Sequence, residues 1–324
     1  MMRALVIGGN GFIGGHLVNL LDEEGISVRV FDRFPSKFFA QKRNVEYVIG
    51  DLGNHGALNE IVQDVDWVFH LAYTTLPKTS NDDPVYDVRS NLIDTLQLLQ
   101  ECTKEKVKKI VFVSSGGTVY GAPQSVPITE SHPTEPICSY GITKLAIEKY
   151  LHLFYHLEGL DYAVARISNP YGEGQNPNAK QGAIGVFLGR IARGEEIEIW
   201  GDGEVIRDYI YIRDAAAALI HAARYQAAKT EPRVFNVGSG VGHSLNEIID
   251  EIRSVVDVQF KVHYDPARAL DVAANVLDNR LAGKYLGWHP TTDLRTGIER
   301  TWNWIQSLDA QAITAPKLQN ILKA

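Results

Sequence analysis

Tyr140 and Lys144 stand four residues apart in the stretch CSYGITKLAIEKYL. Side chains at that spacing lie over one another on one face of a helix. The ammonium of Lys144 can therefore stand near the phenol of Tyr140 and favour its ionised form. A free phenol has a pKa of about 10, and lowering it by about three units corresponds to roughly 4 kcal/mol, within reach of one close cation and a cationic cofactor. Tyr140 is then a candidate base and Lys144 its partner. The spacing alone recurs by chance on surface helices, so this chemistry depends on what the chain puts beside it.

The chain opens with RALVIGGNGFIGGHLVNLL. A short apolar run, Ala4 to Ile7, meets glycines at Gly8, Gly11 and Gly14, and Phe12 and Ile13 begin a pattern of helical period. A strand, a tight turn and a helix start read this way. Glycines there let backbone approach a pyrophosphate, and the helix start offers N–H groups and a partial positive charge. The spacing is GxxGxxG rather than GxGxxG, and a turn serving only helix packing is the plain alternative. A second strand, Ser27 to Phe31, ends at Asp32, about where an acid meets the adenosine ribose. Asp32 favours NAD, whereas Arg33 beside it could hold the 2′-phosphate of NADP.

With 324 residues, 45% of them apolar, the chain can bury a large core as one large domain or two intimate ones. The net charge of −7 and the absence of a basic run argue against nucleic acid or an anionic membrane as main partner. Only two cysteines occur, Cys102 and Cys138, so neither a disulfide framework nor a metal-ligand cluster is expected, and a reducing cytoplasm fits. The first strand begins at Arg3, leaving no room for a signal peptide. No apolar run approaches membrane-spanning length.

Strands expected over Val45–Ile49, Trp67–Leu71, Lys109–Ser114 and Tyr162–Ile167 alternate with helices, the longest over Val85–Thr103 and Tyr140–Leu157. That alternation predicts an α/β fold with a Rossmann-type doubly wound parallel sheet. After Ile167 the pattern loosens into Gly and Pro clusters (SNPYGEGQNPN, WGDG), which suits a smaller, discontinuous α/β substrate-binding lobe. The expected division is a dinucleotide-binding domain over 1–168, with returns near 213–240 and 276–286, and a ligand lobe over 169–212, 241–275 and 287–324.

These motifs together resemble those of the extended short-chain dehydrogenase/reductases, and among them the UDP-sugar 4-epimerases of the NAD-dependent epimerase/dehydratase family. The likeness runs through GGNGFIGG, Asp32, GDL at Gly50 to Leu52, HLA at His70 to Ala72, Asn91, SSGGTVYG, YGITK, NPYGEGQ, GDGEVIRDYIYIRD, RALDV and LGWHPTTDLRTGI. It implies that Asp51 and Leu52 flank the adenine, that Leu71, Ala72, Tyr73, Thr75 and Ser114 line the cofactor cleft, and that Asn91 helps to close it. Asn169, Arg207, Arg268, Asp271 and Trp200 are the implied anchors of the nucleotide, Arg207 and Arg268 because a diphosphate needs lasting bidentate cations. Blander roles stand beside these: Asp51 capping the next helix, Asn91 bonding its own backbone, and His70 as a hydrogen-bonded core histidine. The resemblance also implies NAD as cofactor and a homodimer paired through the helix bearing Tyr140 and the one before it.

Relatives that eliminate water or carbon dioxide carry an acid just before VYG. Here Gly116, Gly117 and Thr118 precede Val119, which leaves oxidation and re-reduction at C4 of the sugar. The position that usually holds a catalytic Ser or Thr is Gly116, so the hydroxyl must come from Thr118, from Ser115 or from a water. Asn275, three residues before Asp278, falls where bulk is associated with excluding N-acetyl groups, and its small amide predicts tolerance of them. A single-direction ketoreductase would use the same Tyr140 and Lys144 while consuming NAD(P)H. A non-catalytic dinucleotide-binding protein of this fold typically loses one of the two.

Overall fold

The computed structural model describes residues 2–179, 181–266 and 272–314. In chain order its strands are β1 (Arg3–Ile7), β2 (Ser27–Asp32), β3 (Val45–Ile49), β4 (Trp67–His70), β5 (Lys109–Ser115), β6 (Tyr162–Ile167), β7 (Asn169–Tyr171), β8 (Ile197–Trp200), β9 (Ile206–Tyr211), β10 (Val234–Val237), β11 (Gly242–Ser244), β12 (Val262–Asp265) and β13 (Ala274–Asn275).

Seven of them form one parallel sheet in the order β10-β6-β5-β4-β1-β2-β3. The chain winds outward from β1 to β3, returns to lay β4 on the other side of β1, and continues to β6. Strand order therefore reverses between β1 and β4, and ligands of such sheets bind at the carboxyl ends of the strands at that switch point. Residues alternate between the two faces: Ala4 and Val6 pack with helices Phe12–Glu23 and Ile212–Arg224, Leu5 and Ile7 with helices Asp94–Lys104 and Ser139–Glu158. Both faces are covered, which is why these strands read as continuous apolar runs.

The helix expected over Val85–Thr103 is three pieces: a short turn Pro84–Asp87 capped by Asp83, a π-helical stretch Val88–Ile93, and helix Asp94–Lys104. Apolar periodicity does not register the extra residue of a π turn, a feature common at functional sites. Helix Ser139–Glu158 stops at Gly159, whose φ of 74° is left-handed and costs a glycine nothing.

The remaining strands build a second, smaller layer. Central β9 pairs with β7, β11 and β13, and β8 pairs with β12. Phe187, Leu188, Tyr209, Ile248, Ile252 and Trp302 belong to its own core.

Candidate active site

At the end of β1 the chain turns through Gly8, whose φ is +85°. A Cβ there would lie 2.7 Å from the backbone nitrogen of Ala72, and a Cβ at Gly14 would overlap the carbonyl of Gly8. The cradle is thus closed to side chains but open to a ligand's phosphates. Gly11 opens helix Phe12–Glu23 with no side chain capping it. The side chains of Phe12 and Ile13 pack against the second layer's core and seat the helix on it.

A cavity of about 410 Å³ extends from this cradle. Asp32, Arg33, Asp51 and Leu52 line one end, Leu71, Ala72, Tyr73 and Asn91 another wall. The Asp32 carboxylate accepts the backbone N–H of Asn10 at 3.0 Å, which holds it at the rim. Arg33 faces Asp51 at 3.7 Å. A carboxylate at the ribose end and an arginine already facing an acid suit a ribose with free hydroxyls, so the residues fit NAD. Asp51 also accepts the N–H of Gly53 at 2.8 Å, so it holds the following turn as well as lining the cavity.

Not every residue expected here faces the cavity. Thr74, not Thr75, lines it. Asn91 accepts the N–H of Thr74 at 2.9 Å and donates to the Asp87 carbonyl at 2.9 Å, so it clamps the loop that follows β4. The hydroxyl of Thr75 turns inward to Asp87, and that of Ser114 turns inward to Glu148 at 2.5 Å. Both side chains serve the scaffold because their strand and loop positions point them at buried carboxylates. His70 bonds Thr95 at 2.9 Å, and burial holds its pKa down to about 3, as befits a neutral core histidine.

Tyr140 and Lys144 share a face of helix Ser139–Glu158, but their interaction differs from the one expected. The Lys144 Nζ donates to the Val113 carbonyl of β5 at 2.7 Å and lies 4.1 Å from the centroid of the Tyr73 ring and 5.6 Å from that of Tyr140. Lys144 is 2% exposed, and burial pushes its pKa down to about 7 against the pull of Glu148 and Asp87. Burial likewise pushes the Tyr140 phenol up, with Cys138 and Asp87 adding to it. Helical spacing brought the pair together, yet β5 captured the ammonium. Within the protein alone, desolvation outweighs the lysine's charge at the phenol.

The Thr118 hydroxyl is buried without a hydrogen-bond partner, and Ser115 ends β5 close by. Asn275, 4% exposed, donates its amide to the Gly116 carbonyl at 3.2 Å and leaves its buried oxygen unpartnered. Sequence reasoning missed Tyr73 as the ring between the loop and Lys144. It also missed Glu148, although Glu148 follows Lys144 at the same four-residue spacing that singled out Tyr140.

A second cavity, about 770 Å³, opens between the layers. Asn169, Trp200 and Arg207 line it together, joined by Lys78, Tyr171 and Arg190. Asn169 is steadied by its bond to the Asp208 carbonyl, and Arg207 by its bond to the Val272 carbonyl. Arg268 and Asp271 lie outside the described residues. Because Leu71 to Thr74 line the first cavity and Leu76, Lys78 and Thr79 the second, one loop borders both.

Comparison with known proteins agrees with this arrangement. Residues 4–238 match the NAD dependent epimerase/dehydratase family. A putative UDP-glucose 4-epimerase of Methanocaldococcus jannaschii is 36% identical over 94% of this chain and 98% of its own length. The crystal structure of UDP-glucose 4-epimerase from Thermotoga maritima with UDP-glucose superposes with a TM-score of 0.89 at 34% identity, covering 95% of this chain and 99% of that one. A UDP-N-acetylglucosamine 4-epimerase from Methanobrevibacter ruminantium in complex with UDP-N-acetylmuramic acid gives a TM-score of 0.88 at 30% identity, covering 95% and 99%. A dinucleotide cradle on the right switch point, matched by relatives along nearly the whole chain, leads to one assignment: the chain belongs to the NAD dependent epimerase/dehydratase family.

Proposed function

We propose that this protein is an NAD-dependent nucleotide-sugar 4-epimerase that inverts C4 of a UDP-hexose, UDP-N-acetylhexosamine or UDP-uronic acid. The observation that carries the reading is the conjunction of Tyr140 and Lys144 with an unpartnered Thr118 hydroxyl and no carboxylate before Val119.

Bound NAD supplies a two-electron acceptor and donor at the sugar carbon. Tyr140 takes the proton from the 4-hydroxyl as the sugar becomes a 4-keto sugar and returns it after the sugar has turned over. Lys144 would hold the ribose end of the cofactor when NAD is bound, and Thr118, or Ser115, would orient the 4-oxygen. Asn169, Arg207 and Trp200, with Arg268 and Asp271, hold the uridine diphosphate as the fixed end about which the sugar swings. The protein needs no second substrate in this scheme.

The reading includes a homodimer in the cytoplasm. Ile142, Tyr150, Leu153 and Leu157 are exposed on the helix bearing Tyr140, and Val85, Val88 and Ile93 on the preceding helical pieces. Pairing through these faces would bury them, and light scattering at micromolar concentration should give twice the chain mass.

The decisive test incubates purified protein with UDP-hexoses, UDP-N-acetylhexosamines and UDP-uronic acids and follows C4 inversion by NMR without added cofactor. Inversion that falls at least about 100-fold in Tyr140→Phe supports the assignment. Net consumption of NAD(P)H with no inversion would replace it with a ketoreductase.

A further inference from the structure

Asp87 is fully buried beneath the loop after β4, and the donors that reach its carboxylate are neutral. Oδ1 accepts from the Thr75 hydroxyl and from the Asn91 amide, the latter at 3.1 Å. Oδ2 accepts from Ser139 at 2.8 Å and Thr143 at 2.7 Å. Ser139 and Thr143 flank Tyr140 at the start of the catalytic helix, while Thr75 and Asn91 shape the loop that borders both cavities. One carboxylate therefore ties the helix carrying the base to the wall of the cofactor cavity. A buried charge without a cation bonded to it is costly, and neutral hydroxyls alone could hold a purely structural junction as well.

We propose that Asp87 is a positioning residue for the epimerase reaction, fixing the first turn of the Tyr140 helix through Ser139 and Thr143 and so setting a buried carboxylate beside the residues that flank Tyr140 and Lys144. The proposal rests on the epimerase reading above. Its charge acts on both members of the pair in the same direction, favouring protonated Lys144 and protonated Tyr140. The other ionisable groups around the pair are Cys138 just before the helix, Glu148 on it, Tyr73 on the loop, and His70 at the end of β4. Glu148 is engaged by Arg166 of β6 at 2.6 Å. Burial keeps His70 neutral. Arg89, on the π-helical stretch beside Asp87, is exposed. Among the described residues Asp87 has no ion-pair partner, and hydroxyls and an amide alone hold its carboxylate.

Asp87→Asn preserves shape, because the facing hydroxyls can reverse their donor and acceptor roles, and removes the charge. Both limbs of the kcat–pH profile should move to lower pH by about one unit, since Tyr140 would ionise more readily and Lys144 would lose its proton sooner. Asp87→Glu should lower kcat with the limbs unmoved. Ser139→Ala, at a half-buried position that tolerates the change, leaves the carboxylate less compensated and should move both limbs upward. It also keeps the question open to measurement if Asp87→Asn does not fold. NMR of protein carrying ¹³Cζ-tyrosine, with the Tyr140 signal identified by its loss in Tyr140→Phe, reads the phenol's titration without turnover. A Tyr140 titration and pH limbs that stay at their wild-type positions in both Asp87→Asn and Ser139→Ala overturn the proposal. Absence of C4 inversion in the wild-type protein, with the NMR shift present, would instead remove the epimerase reading.

Discussion

Leu277 occupies the space that a side chain at position 116 would need. A Cβ built on Gly116 overlaps Leu277 Cδ1 and lies 3.2 Å from the Arg166 carbonyl, and Leu277 is itself fully buried against Val119, Tyr120 and Ile128. The glycine at the position where the family resemblance implies a hydroxyl is therefore the mate of a large neighbour. Gly116→Ser should destabilise the protein by about 1–3 kcal/mol, as overpacked cores do. Leu277→Val should relieve part of that loss, which a double-mutant cycle in urea would measure.

Under the proposed reaction, Thr118, whose buried hydroxyl lacks a partner, is the first candidate to orient the 4-oxygen, ahead of Ser115 or a water. Thr118→Ala should lower kcat about tenfold, the effect of one neutral hydrogen bond in the transition state, and Ser115→Ala should change it little. Steady-state kinetics of the two variants decides between them, and the reverse order would move the role to Ser115.

Lys144 connects stability to pH. Its pKa is about 7 in the folded protein against an ordinary value of 10.5, so between those values the unfolded chain binds the extra proton. Stability should therefore rise with pH across that window, by up to about 1.4 kcal/mol per pH unit, and level off at its lowest below about 7, where both states hold the proton. Lys144→Met removes this slope. Urea unfolding should show the variant more stable than wild type near pH 6, although its epimerisation is lost.

Asp32 and Arg33, which both line the first cavity, are the residues expected to set the choice between NAD and NADP. With Arg33 turned to Asp51, Arg33→Ala should leave retention of NAD intact. Asp32→Ser removes a carboxylate whose repulsion of a 2′-phosphate is worth several kcal/mol and should admit NADP. Assay of the dinucleotide released on denaturation measures both. Recovery of NADP from the wild-type protein would reverse the roles of the two residues.

Asn275 is the test of substrate size. It is buried and bonded to the Gly116 carbonyl, so Asn275→Tyr adds volume where little can move. Binding of a UDP-N-acetylhexosamine should fall at least about tenfold more than that of the matching UDP-hexose, read by calorimetry. Equal losses would take the discrimination away from this position.

Much of the molecule was legible in the residues themselves because it rests on short-range rules. The glycines after β1, the apolar runs of a sheet buried on both faces, and the four-residue spacing of Tyr140 and Lys144 each follow from local backbone geometry. Tertiary structure alone decided what those side chains meet. Lys144 lies on the expected helix face, but β5 sets a carbonyl within its reach, and burial then determines its protonation. Thr75 and Ser114 carry the hydroxyls that the pattern suggested, yet Asp87 and Glu148, distant in sequence, draw them inward. Leu277 arrives 161 positions after Gly116 to fill its missing side chain. Such contacts depend on which strands and loops the sheet order brings side by side, and no periodicity along the chain encodes that distance.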